Sequence, residues 1–295
     1  MTAPTTKALY RAMAFMAVGV FWFSVLDAVT KKLTDGYGTW QISATSRIIT
    51  ICIVLVMILQ QHRSLLPLRS TFIKTHMVRS LLIVATTWTF FECLRYLELA
   101  DAIAIAFAAP LFITAMSGPI LGEKVGWRRW SAVVVGFVGV VVALEPGRHG
   151  ITWGALLALI AAITYAMGQL WLRPLAGREQ SHNIVFYGTL FSGLIVLGPA
   201  IHEWKMPVNA FDWTLFLVQG SCSTLGQIFM VRAFRVAEAS LLAPLEYTAL
   251  IWAGLFGYLI WGDIPTLQVL IGAAIIICAS LYIAHREAVK RGAKS

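Results

Sequence analysis

The chain has 295 residues, of which 59% are hydrophobic and only 13% charged, and its mean hydropathy is +0.77. That charged share is about half of what soluble domains carry, which excludes a secreted disulfide scaffold, a disordered chain and an ordinary soluble enzyme. Ten spans of about 20 residues, each long enough to cross the hydrocarbon core, would use roughly two thirds of the sequence. The net charge of +9 lies between apolar blocks and reads as topological signalling rather than a nucleic-acid footprint.

In chain order, the apolar runs predict helices near residues 11–31, 40–60, 78–98, 102–121, 127–144, 151–171, 183–201, 212–232, 240–261 and 266–284. Lys7 and Arg11 precede the first run like a signal peptide, but no small-residue cleavage site follows, so that run is read as a retained span. Turn formers such as Asp35-Gly36, Pro146-Gly147 and Pro207 stand between runs. Cys52, Cys93, Cys222 and Cys278 all fall inside apolar segments without metal or redox spacing, and read as small buried hydrophobes. With the N-terminus in the cytoplasm, 17 of the 23 Lys and Arg residues fall on the cytoplasmic side and 5 on the other, Arg47 lying within a span. That bias predicts both termini in the cytoplasm.

The chain also repeats itself. RYLELADA at 95–102 parallels RAFRVAEA at 232–239, and GEKVGWRRW from Gly122 parallels GDIPTLQVL from Gly262. Two halves follow, 1–147 and 148–295. Five spans per half is an odd number, so the second half must be inverted relative to the first. The expected fold is an all-α integral membrane protein of ten transmembrane helices arranged as two inverted five-helix repeats, a construction typical of secondary transporters.

These strings, with Pro110, Gly122-Glu123 and APLEYTALIWAGLFGYLIWGD at 243–263, resemble the drug/metabolite transporter superfamily in its ten-span EamA-type form. Size and aromatic-rich spans are similar to the aromatic-amino-acid exporters of that superfamily (YddG-like proteins). A charged Glu92 within the third span departs from the usual pattern. The resemblance implies a monomeric bundle in the bacterial inner membrane, with a central cavity lined mainly by spans one, three, four, six, eight and nine. It implies export of small molecules, amino acids foremost, without nucleic acid, metal or cofactor.

An ionisable side chain in hydrocarbon costs about 2.5–3.5 kcal/mol on insertion scales unless paired or hydrated. Asp27, Arg47, Glu92 and Glu246 are therefore candidates. Asp27 and Arg47 are expected at similar depth on neighbouring helices, either as a static pair or as a gate. Glu92, expected nearer the midplane, either meets a substrate ammonium or a proton, or pairs with Arg95 or Arg47. Glu246 follows Pro244, whose missing N–H leaves a carbonyl free; it either faces a cavity or reaches Arg232 or Arg235. Pro110, preceded by Phe107, gives the fourth span a similar break. Tyr165 and Gln169 share one helical face, and Gln219, Ser223 and Gln227 repeat at four-residue spacing as a polar stripe. In lipid such a stripe must face protein or water, and a solvated pathway is the favoured reading over interhelical bonding. Trp40, Trp127, Trp130, Trp153, Trp204, Trp213 and Trp261 stand at span ends as an aromatic belt. Trp22, Trp88 and Trp252 are deeper, as packing or as an aromatic cage.

No nucleotide-binding loop, H-E-x-x-H or nucleophile-elbow motif in a suitable context occurs. The leading expectation is a secondary transporter or facilitator of small zwitterionic metabolites. Efflux of organic cations is the alternative; an intramembrane enzyme and a non-transporting subunit are weaker readings.

Overall fold

The computed structural model describes residues 6–62, 70–122, 126–144, 152–176, 179, 181–236, 242 and 245–292. Among them the chain is all-helical, in eleven segments: α1 (Thr6–Thr34), α2 (Thr39–His62), α3 (Ile73–Cys93), α4 (Leu99–Ala106), α5 (Ala109–Leu121), α6 (Trp127–Leu144), α7 (Trp153–Ala176), α8 (Ser181–His202), α9 (Ala210–Val236), α10 (Thr248–Trp261) and α11 (Leu267–Gly292). Six stretches are long and apolar enough to cross a membrane: 10–34, 39–57, 99–120 with α4 and α5 taken together, 127–144, 153–172 and 183–202. The helices of 248–261 and 267–283 are shorter apolar ones. Neither α3 nor α9 reaches that hydropathy: Lys74, Arg79 and Glu92 dilute the first, Asp212, Gln219 and Gln227 the second.

The fourth expected span is two helices. Phe107 ends α4 and Ala108 starts α5 with ordinary right-handed dihedrals, and Pro110 occupies the first turn of α5, where its missing N–H is tolerated. Tyr247 precedes α10 with nearly the same dihedrals as Ala108. Pro244 and the expected boundary at 147/148 lie outside the described residues. Gly122 and Gly262, the residues that aligned the two halves, close α5 and α10 in the left-handed region at φ 68° and 75°. There the Gly262 N–H donates to Tyr258 O and the Asp263 N–H to Gly257 O, the pattern of a glycine helix stop.

The third helix differs from expectation in a way that matters below. It begins at Ile73 and ends at Cys93, where Arg95 N–H turns back to Glu92 O and Tyr96 N–H to Cys93 O. The expected span of 78–98 is thus shifted by five residues. Glu92 moves from mid-span to the helix end, and Arg79 moves about 9 Å into the helix at 1.5 Å per residue.

Packing follows a simple pattern. Helix α1 runs along α9 and α3 along α7; α2 pairs with α8 and α6 with α11. In addition α2 touches α9 as α3 touches α8, and α5 leans on α7 as α10 leans on α1. Exchanging α1, α2, α3, α5 and α6 for α7, α8, α9, α10 and α11 leaves this set of neighbours unchanged. Close approach at two of these contacts needs glycine. A Cβ on Gly272 would stand 2.6 Å from Gly139 O and 2.7 Å from Ala143 Cβ, and one on Gly226 would stand 3.0 Å from the Phe23 ring. Cys93 and Cys222 are buried as expected, whereas Cys52 and Cys278 face outward from the helices.

Replacing Gly272 by Leu forces backbone apart at the α6–α11 contact, and overpacking of this kind costs about 1–3 kcal/mol or more. The expected outcome is a clearly lower melting temperature in detergent. Gly254→Ala, where nothing lies within 4 Å of the added carbon, leaves it unchanged or higher.

Candidate functional site

The end of the bundle that carries Lys31 is tied together by a polar network built from helix ends. The Lys31 ammonium, at the end of α1, donates to Asp263 Oδ2 at 3.2 Å and to Leu97 O at 3.1 Å, and lies 4.9 Å over the Trp261 ring. Beside it Glu92 Oε2 forms an ion pair with Arg95 Nε at 3.3 Å and accepts from the Thr39 hydroxyl. Arg95 also donates to Tyr37 O at 2.6 Å, and the Tyr37 hydroxyl donates to Asp212 Oδ2 at 2.6 Å. Desolvation and the Asp212 carboxylate push the Tyr37 phenol up, so it remains a donor. Glu203 accepts the Trp40 and Gln41 N–H groups at 2.7 and 3.2 Å, capping the start of α2, and Gln41 exchanges bonds of 2.7 and 3.0 Å with the Lys205 backbone. The network joins parts distant in sequence: the ends of α1, α3, α8 and α10 and the starts of α2 and α9.

Charges deeper in the bundle are treated differently. The expected Asp27–Arg47 pair is not formed among the described residues. Arg47 is buried, with Nη2 donating to Thr87 Oγ1 of α3 at 2.9 Å and Nε left without a partner. Asp27 is half-buried and within electrostatic range of the Cys93 thiol. Glu246, between Leu242 and α10, is half-buried and lies within electrostatic range of Tyr165. Tyr165 itself is 43% exposed. It faces Gln169 one turn on, and Arg79 from α3 is its other charged neighbour. Arg79 Nη1 reaches Ile184 O of α8 at 3.5 Å. None of Asp27, Arg47, Arg79 and Glu246 lies within 4 Å of an opposite charge among the described residues.

Aromatic rings fill the space between the helix breaks. Phe107 meets Tyr247 edge to face at 5.0 Å, so the two breaks, 140 residues apart in sequence, touch. Phe21 packs on Trp22 at 5.6 Å, on Trp252 at 5.0 Å and on Phe256 at 6.4 Å, joining α1 to α10. Trp88 stacks on Trp40 at 5.4 Å, and Trp40 and Trp261, expected in the aromatic belt, are turned inward. The other belt positions, Trp127, Trp130, Trp153, Trp204 and Trp213, are exposed.

The polar stripe of α9 is mostly not a solvated face. Gln219 is fully buried and donates to Thr30 Oγ1 of α1 at 3.4 Å, and Ser223 is buried too; only Gln227 is half-buried. The reason is the tight α1–α9 contact, which turns that face onto a neighbour. The structure places Tyr165 near Gln169 and Glu246, whereas Glu92 and Ser223, which the sequence reading grouped with them, lie in the Lys31-end network and in the α1–α9 contact. That reading passed over Arg79, read as a topological charge, because the start of α3 was placed too late.

The comparisons with known proteins decide the family. The model of the EamA-like transporter family matches residues 10–144 and again 152–284. The chain belongs to the EamA-like transporter family. It is 28% identical to the S-adenosylmethionine uptake transporter of Rickettsia prowazekii (strain Madrid E), over 91% of this chain and 93% of that protein. It is 29% identical to the riboflavin transporter of Vibrio cholerae serotype O1, over 97% and 95%. It is 25% identical to the pseudopaline exporter CntI of Pseudomonas aeruginosa (strain PAO1), over 90% and 93%. A solved crystal structure shares the fold with a TM-score of 0.67 at 18% identity, covering 93% of this chain and 97% of that one. This EamA-family chain is therefore a multi-pass helical membrane transporter.

If the Lys31–Asp263 contact holds the seal, breaking it admits reagents to the thiol beneath. With the other three cysteines replaced by serine, Cys93, which is fully buried, is expected to react several-fold faster with a water-soluble maleimide in Asp263→Asn than in the parent. An unchanged rate would show that the seal does not depend on that ion pair.

Proposed function

We propose that this transporter moves small zwitterionic metabolites, amino acids foremost, by alternating access between two inverted five-helix repeats, 1–147 and 148–295, in the bacterial inner membrane. The observation that carries the reading is the coexistence of a paired end and charges without an opposite charge beside them. At the Lys31 end Lys31, Asp263, Glu92, Arg95 and Asp212 are paired, while Arg79 and Glu246, both only partly buried, have no opposite charge within 4 Å among the described residues. A neighbour pattern unchanged by exchanging the halves supports two interconvertible arrangements, one sealed at each end. Both termini are taken as cytoplasmic from the excess of Lys and Arg, which puts the Lys31 end outside and the open side within.

Within this reading Phe107, Trp22, Trp252, Tyr165, Gln169 and Glu246 surround the substrate, with Gln227 at its edge. Glu92, Arg95, Lys31 and Asp263 form the outer gate. Trp88 backs that gate through Trp40, and Ser223 belongs to the α1–α9 contact. Asp27 and Arg47 are charges that the cycle exposes in turn rather than a permanent pair. Pro110 stands at the break of the fourth span in the first half, and Pro244 is assigned the same role in the second from its place in the sequence. The chain works as a monomer in the bilayer without a cofactor, and the substrate gradient sets direction.

The relatives named above handle S-adenosylmethionine, riboflavin and pseudopaline by their names. The first is a sulfonium cation that carries an amino-acid end, which fits a site holding both charge signs. Efflux of organic cations by the same architecture is the second reading, favoured by the carboxylate of Glu246 close to aromatic rings.

Counterflow in liposomes containing only this protein tests the choice. Preloading in turn with each amino acid, S-adenosylmethionine, riboflavin and a quaternary ammonium is expected to give saturable exchange of several zwitterions. Exchange of the quaternary ammonium alone would establish the cation-efflux reading, and exchange of riboflavin alone would remove the zwitterion class.

A further inference from the structure

Arg79 is an interior charge that no feature of the sequence marked as functional, and its setting is specific. It projects from the second turn of α3 toward α8, where Ile184 O at 3.5 Å is its hydrogen-bond acceptor. That is a long, weak contact for a guanidinium that can donate five N–H groups. No carboxylate lies within 4 Å among the described residues. One turn earlier on α3, His76 Nε2 is bound to Glu179 at 2.8 Å, and the His76 ring stacks on Tyr187 at 5.3 Å.

The backbone around Arg79 is shaped to hold it. Gly188 of α8 lies against the guanidinium: a Cβ there would stand 3.0 Å from Nη1 and 3.5 Å from Ile83 Cδ1. The Ser80 hydroxyl donates to Gly188 O at 3.3 Å, which fixes α8 against α3 at that level. Nearly two turns further, Thr86 donates to Thr164 at 2.9 Å and ties α3 to α7. Tyr165 follows Thr164 directly, and its phenol lies within electrostatic range of Arg79 and of Glu246. Arg79 and Glu246 are therefore both within range of one partly exposed tyrosine, with no ion pair between them.

A lone arginine in a bundle interior is costly unless something neutralises it, and planar guanidinium is suited to a carboxylate. We propose that Arg79 is the anion anchor of the transport site, binding the carboxylate of a zwitterionic substrate whose ammonium faces Glu246 across Tyr165. This assignment rests on the zwitterion reading above and adds to it the residue that selects against compounds lacking a carboxylate. Gly188 is the positioning residue that gives the guanidinium its place.

Tryptophan and tryptamine, which differ by the carboxylate, test the assignment in proteoliposome counterflow and competition. The parent protein is expected to prefer tryptophan. Arg79→Gln is expected to weaken tryptophan by about tenfold or more, the usual worth of a hydrogen bond to a charged group, and to bring it level with tryptamine. Arg79→Lys retains part of the preference, and Gly188→Ala lowers it while leaving Arg79 in place. Melting temperatures in detergent show that each variant is folded. If Arg79→Gln weakens both compounds equally, or neither, the anchor is wrong while zwitterion transport stands. If the parent moves tryptamine but not tryptophan, or moves neither, the zwitterion reading and the anchor fall together.

Discussion

A charge inside a membrane must be matched or wetted, and that constraint organises this molecule. At the Lys31 end charges are matched: ammonium to carboxylate and carbonyl, guanidinium to carboxylate and carbonyl, phenol to carboxylate. These groups come from helix ends on both halves of the chain, so their pairing requires those ends to converge. Deeper, two arginines and two carboxylates have no opposite charge within 4 Å among the described residues. A static membrane protein gains nothing from such an arrangement, whereas a carrier needs charge that is satisfied only when its cargo is present.

In the proposed reading the helix breaks supply the place where cargo sits. Phe107 precedes α5 and Tyr247 precedes α10, and their rings touch. Phe21 and Trp22 of α1 and Trp252 and Phe256 of α10 pack on one another. On that reading the site combines an aromatic floor with charges on the side, and floor contacts of this kind depend on area more than on direction.

Much of this was legible in the sequence, for reasons that differ by element. Apolar runs are long and separated by turn residues, so most helices fall within a few residues of expectation; α6 matches at both ends. The repeat was visible because Gly122 and Gly262 are each needed for a left-handed helix stop, and the same backbone demand left the same residue twice. Glu92 was misplaced in depth because the Leu94–Leu97 turn has no proline or glycine to announce it. That same displacement hid Arg79. The stripe of Gln219 and Ser223 was recognised as polar, but only packing could show that α1 covers it. Asp27 and Arg47 illustrate a further limit: similar depth on consecutive helices does not make a pair when Thr87 of a third helix takes the guanidinium.

The central claim is that the Lys31 end opens and closes. Spin labels at Tyr96 and Met206, both exposed on loops of that end, report its width by double electron–electron resonance. The account predicts two distance populations in liposomes, a short one matching the sealed arrangement and a longer one, whose ratio changes when a transported zwitterion is added. One narrow distance, unmoved by any transported compound, would contradict it.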